Sequence, residues 1–143
     1  MDLGIHGKIL FWILSISIFL YEVYQILLGK SSKSWKSHPA KVIEVKIETR
    51  TDEGTEESSP KIKYQYRYMG ASYIGNKVKY GDLWSTNYRS SNDLLRGVVK
   101  GRDVNIYVNP NRPNQSVLHR GYEGNILWFL VFFCVFFAIA FKS

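Results

Sequence analysis

The chain has 143 residues, 45 % of them hydrophobic and 15 % aromatic, enough for one domain. Its formal charge of +7 lies wholly between Gly29 and Gly124, where 17 Lys/Arg face 10 Asp/Glu, so anionic lipid, nucleic acid or an acidic protein are the partners to weigh. The single cysteine, Cys134, excludes an intrachain disulfide.

Residues 9–28, ILFWILSISIFLYEVYQILL, are apolar except for two serines, Glu22 and Gln25. Twenty helical residues reach roughly 30 Å, the thickness of a bilayer core, so the run predicts a transmembrane helix. A cleavable signal is the competing reading of an apolar run so near the N-terminus, but no clear A-x-A-like site comes after it. Glu22 is the candidate polar site inside the span. An intramembrane acid marks a proton or ion path by default. Its place between Tyr21 and Tyr24 also suits a carboxylate at the headgroup boundary, which tyrosines favour. The second apolar run offers no cation at that depth, and Trp128 is the nearest partner there.

The segment SSKSWKSHPAK joins the span to the polar middle of the chain. Trp35 among Lys30, Lys33, Lys36 and Lys41 predicts an interfacial anchor, with the ring toward lipid and the cations toward phosphate. Pro39 stops the helix. VIEVKIET then alternates, with Ile43, Val45 and Ile47 expected on one face and Glu44, Lys46 and Glu48 on the other. Residues 50–60 hold four acids and no apolar side chain, which predicts an exposed connection. KIKYQYRY alternates again: Lys61, Lys63, Gln65 and Arg67 fall on one face, and Ile62, Tyr64, Tyr66 and Tyr68 on the other. Gly70 supplies a turn, 72–80 the partner strand, and Gly75 a bulge or bend within it. Ser90 or Ser91 is expected to cap a short helix with Leu94, Leu95 and Val98 buried, and Gly101 to end it. Val104, Ile106 and Val108 mark a strand closed by Asn109-Pro110, and QSVLHR a last short one.

Residues 126–141, ILWFLVFFCVFFAIAF, contain no charge and predict a second, rather short span with Asn125 and Lys142 at its interfaces. The expected fold is therefore membrane α + β: two transmembrane helices flank a small antiparallel sheet or barrel-like domain with one short helix. The boundaries fall at 1–29, 30–124 and 125–143. Lysines and arginines cluster on the middle segment's side of both spans, which places that segment in the cytoplasm.

Three stretches, SWKSHPAKVIEV, KYQYRYMGASYIGNKV and KGRDVNIYVNPNRPNQSVLHRG, carry a resemblance to a large, mainly bacterial family of membrane-associated domains of unknown function, number 3592. The second resembles its Y-x-Y-x-x-x-G-x-x-Y-x-G hairpin. The third resembles a G-x-x-V-x-V-x-Y-x-P-x-x-P-x-x-x-V-L pattern, with Gly101, Val104, Ile106, Val108, Pro110, Pro113, Val117 and Leu118 in place. Ser37-His38-Pro39 departs from a more proline-rich run, and the first connection is longer and more acidic. The resemblance implies a membrane-associated β domain and carries over no catalytic residue; the compartment expected is a bacterial inner membrane.

No linear motif for catalysis, metal or cofactor is present, and none is expected. Single-stranded nucleic acid needs aromatics and cations in one groove. In KIKYQYRY they segregate to opposite faces, so no nucleic-acid partner is expected either. The remaining reading is a two-pass, non-enzymatic interaction module. One concrete version is a membrane-resident immunity protein against a toxin, and the alternative is an anionic-lipid or envelope-stress sensor. Membrane lipids and a protein partner are the expected contacts. Lys30, Lys33, Trp35, Lys36 and Lys41 are the candidates for lipid, and Lys61, Lys63, Arg67 and Trp84 for protein.

Overall fold

The computed structural model describes residues 4–124 and 126–142; Asn125, expected at an interface, lies outside them. The first apolar run forms α1, Ile5–Ser32, extending beyond both ends of the predicted span. Ser32 and Lys33 close it, the Ser32 hydroxyl donating to the Gly29 carbonyl at 2.7 Å. The second run forms α3, Ile126–Lys142. Among the described residues α1 is the one helix long and apolar enough to cross a membrane. The 17 residues of α3 rise only about 25 Å, short of the full span expected of the second run. The two helices lie antiparallel and pack through aromatics. Phe11 and Trp12 meet Phe136 at ring distances of 5.1 and 6.5 Å, and Phe19 meets Phe133 at 4.2 Å.

Between the helices run β1 Lys36–Asp52, β2 Thr55–Tyr68, β3 Ala71–Gly75, β4 Tyr80–Gly81, α2 Tyr88–Leu94, β5 Asp103–Val108, β6 Ser116–Val117 and β7 Tyr122–Glu123. One antiparallel sheet has the order β3-β2-β1-β5-β6, and β4 pairs with β7 in a small parallel one. The larger sheet curls until its ends meet. Leu118 N–H, just past β6, donates to the Lys77 carbonyl at 3.1 Å, and His119 N–H to that of Val78 at 2.8 Å. The barrel-like expectation is thereby given a seam. Inside lie Ala40, Val42, Ile62, Tyr64, Tyr66, Val78, Ile106, Val108 and Leu118.

Four local expectations are revised. The acidic stretch is no loop. β1 and β2 run on to a two-residue turn at Glu53 and Gly54 (φ 47° and 79°), and Arg50 faces Glu57 across the ladder at 2.8 Å. From Arg50 to Glu56 the hairpin is exposed on both faces, so it shows no apolar alternation, whereas Ser58, Ser59 and Pro60 are buried. Ile43 does not share a face with Val45 and Ile47. A bulge between Val42 and Glu44 absorbs it, so that Ala40 and Val42 point inward before it and Val45 and Ile47 after it. β3 stops at Gly75, which is neither bulge nor bend but a close approach. An added Cβ would overlap the Tyr64 ring and stand 2.7 Å from Ser116 Oγ. Finally, α2 is capped by Asn87, whose Oδ1 accepts from Arg89 N–H at 3.1 Å. Ser91 sits inside the helix with its hydroxyl 3.1 Å from that of Ser58, and Gly101 lies before β5, beyond the helix. Asn87→Ala is expected to lower stability by about 1 kcal/mol in chemical denaturation; an unchanged midpoint would show the cap to be idle.

α1 is not linked loosely to the barrel. Trp35 is 3 % exposed and packs edge-on against Tyr80, with rings 6.1 Å apart. Val117 completes this second small core, flanked by Leu28, Tyr107 and Tyr122. Gly29 is required there, since its Cβ would lie 2.7 Å from that of Tyr122. Gly121 N–H donates to the buried Ser32 hydroxyl at 2.8 Å, and Arg120 to the Lys33 carbonyl at 3.1 Å.

Candidate interaction surface

Trp84 owes its position to a chain of local and distant hydrogen bonds. Its backbone N–H donates to Asp82 Oδ1 at 3.0 Å, the short side-chain turn that aspartate favours. Ser85 then exchanges two backbone bonds with Ser58 of β2, at 2.7 and 2.9 Å. Ser58 turns both backbone groups away from β1. Pro60, two residues on, shares that orientation, so its missing N–H falls on the side without a ladder partner.

The half-buried Trp84 ring thus lies against the outer side of the β1–β2 hairpin. Arg50 Cζ stands 4.1 Å from its centroid and Lys61 Nζ 5.3 Å, both in cation–π range. Arg50 is held in place by Glu57, one carboxylate oxygen accepting from both Nε at 2.9 Å and a terminal nitrogen at 2.8 Å. Lys61 makes a looser ion pair, with Glu48 at 3.8 Å. Beside the ring runs a groove of about 310 Å³ between Ser59–Ile62 and the segment 76–84. Lys61, Lys77 and Lys79 line it against one acid, Asp82. Burial, and after it the repulsion of Lys61, pulls the Lys77 ammonium below its ordinary pKa. Lys79 is tied to Glu123 at 2.7 Å.

Of the four residues predicted for a protein partner, the structure brings Lys61 and Trp84 together. Lys63 faces Glu44 in the neighbouring shallow depression, where Lys46 bridges Glu44 and Glu48 at 3.4 and 3.5 Å. Arg67 is six residues from Lys61 along the strand, about 20 Å away, and stands apart. Arg50, Lys77 and Asn76 were not singled out by the sequence. Arg50 lies in the acidic stretch read as a loop, and Lys77 in the stretch read as regular strand.

The set predicted for lipid also breaks up. Trp35 is no anchor, because its ring is buried beneath Tyr80. Lys36 shares the inward face of β1 with Ala40, whereas Lys41 lies on the opposite face about 16 Å along. Lys30 and Lys33 remain exposed at the end of α1, near Arg120, whose guanidinium lies 4.5 Å from the Tyr107 ring centroid. Glu22 is half-buried beneath the barrel. Burial, and then the carboxylates of Glu22 and Asp82, push the Tyr122 phenol up. Trp128 is 72 % exposed and turned outward from the helix pair.

No curated protein and no solved structure matches the chain. The family model described as "Domain of unknown function (DUF3592)" matches residues 38–123, more than half of it. That stretch opens in β1 and closes in β7, so it takes in the whole barrel, its seam and the Trp84 surface. The chain belongs to the DUF3592 family.

Proposed function

We propose that the protein is a two-pass membrane protein whose β domain is a non-enzymatic protein-interaction module. The Trp84 surface carries this reading. Tryptophan and arginine are the residue types that dominate binding hot spots, and here they are stacked, immobilised and accessible beside a polar groove. Support for two passes comes from the antiparallel pairing of α3 with α1 through four phenylalanine and tryptophan contacts of 4.2–5.6 Å. The excess of lysine and arginine on the barrel's side of both helices favours a cytoplasmic barrel, and a bacterial inner membrane is the compartment proposed. A concrete form of the proposal is an immunity protein that masks a membrane-active toxin. The second reading, an anionic-lipid sensor, draws on Lys30 and Lys33 beside Arg120 at the end of α1.

The test is co-purification of the full chain after mild detergent extraction, with Trp84→Ala in parallel. The native chain is expected to retain a specific protein. Trp84→Ala should weaken that association about 30-fold, a loss of about 2 kcal/mol. Recovery of no protein partner, or equal recovery by both chains, would overturn the proposal.

A further inference from the structure

The ring contacts between the helices fix their relative height. Phe11 and Trp12 lie against Phe136 and Phe137, and Phe19 lies between Phe129 and Phe133. With equal rise along both helices, Trp128 stands about level with Tyr21, and Ile126, the first residue of α3, about level with Val23. Three exposed aromatics thus share one level: Tyr21 at 58 %, Tyr24 at 42 % and Trp128 at 72 %. Tyrosine and tryptophan concentrate at membrane–water boundaries. From Ile5 to Tyr24 there are twenty residues of α1, about 30 Å, which is one hydrocarbon thickness.

Above that level α1 belongs to the barrel. Leu28, Gly29 and Ser32 pack on Trp35, Tyr122 and Gly121. The barrel itself reaches down to the aromatic level, where Gln115 Nε2 donates to the Tyr24 hydroxyl at 3.0 Å. Gln115 ends a loop braced by Asn109, which bonds it through both backbone (2.9 Å) and side chain (2.8 Å). In the middle of that loop Arg112 is exposed and has no ion-pair partner among the described residues.

Resting on the reading that α1 and α3 cross a membrane together, we infer that the hydrocarbon boundary meets α1 at Tyr21–Tyr24 and that the loop 109–115 lies in the headgroup layer, with Arg112 on lipid phosphate. A guanidinium suits a phosphodiester because its fork donates two parallel hydrogen bonds. Lys30, six residues above Tyr24 or about 9 Å, sits at the outer edge of that layer.

The test uses the full chain, Cys134→Ala, in nanodiscs of phosphatidylcholine and phosphatidylglycerol. A fluorophore is placed on one exposed position at a time: Tyr21→Cys, Leu27→Cys, Asn111→Cys or Thr51→Cys. Nitroxides on the acyl chains should quench the label at 21 and spare that at 27. Headgroup nitroxides should quench 111 and spare 51, on the far hairpin. A label at 27 quenched from the acyl chains, or one at 111 reached only by aqueous iodide, overturns the inference while leaving the spans intact. A chain that fails to co-float with lipid vesicles overturns the spans themselves.

Discussion

Tyr64→Ala is expected to cost the β domain about 4 kcal/mol, a large part of what holds a domain of this size together. Tyr64 is fully buried, at 0 % exposure, at the centre of the barrel. Its ring fills the space that Gly75 leaves open, and its hydroxyl lies 2.9 Å from that of Ser116. The truncation would leave a cavity bounded by backbone that cannot collapse into it, because β2 is paired on both sides at this point. Tyr64→Phe should lose only about 1 kcal/mol, the worth of the hydroxyl contact. Lys63→Ala, on the outer face, should stay within about 0.5 kcal/mol of the native chain. Denaturant titration in detergent, monitored by near-ultraviolet circular dichroism, separates the three. A Tyr64→Ala midpoint as close to native as that of Lys63→Ala would mean that the barrel core lies elsewhere.

The second large effect is alkaline loss of structure. Burial pushes the Tyr80 phenol up to about 12, and burial raises that of Tyr64 further still. Both are acids whose neutral form is the buried one. Between pH 10, where an unfolded tyrosine ionises, and the higher folded value, the native state binds more protons than the unfolded state. Stability is therefore complete below about pH 10 and falls as pH rises through the folded values. Tyr80 alone would withdraw about 2 kcal/mol by pH 12, and Tyr64 adds to it. Tyr80→Phe should shift the alkaline unfolding midpoint upward. A midpoint that does not move with this substitution would show that Tyr80 ionises as freely in the folded chain as in the unfolded one.

The hairpin of β2 and β3 was legible because its alternation is strict: every second residue from Ile62 to Tyr66 is buried. The same holds for Ile106 and Val108 in β5. Period-two reasoning failed where the backbone changes phase, as at Ile43, and where strands are two residues long, as in β4 and β7. It failed again in the acidic stretch, where the ladder is held by cross-strand pairs such as Arg50 with Glu57 and no face is apolar. Trp84 could be named from its type, but not its neighbours. They are set by the bond from Ser58 to Ser85, 27 residues apart in sequence. Trp35 misled for the opposite reason. Lysines on both sides imply an interface, and only the return of the chain at Tyr80 and Val117 covers the ring.

The joint at Ser32 and Gly121 has a meaning in chain statistics. These residues are 89 apart in sequence and share a hydrogen bond, so the entire barrel is a loop whose ends are clamped. Bringing the ends of a free loop of that length together costs about 4 kcal/mol in chain entropy. Pairing of α1 with α3 meets that cost for the barrel, and a folded barrel meets it for the helices. The two units are thereby coupled by about as much free energy as the Tyr64 ring contributes. Either one, once formed, acts as the tether that raises the effective concentration of the other's halves.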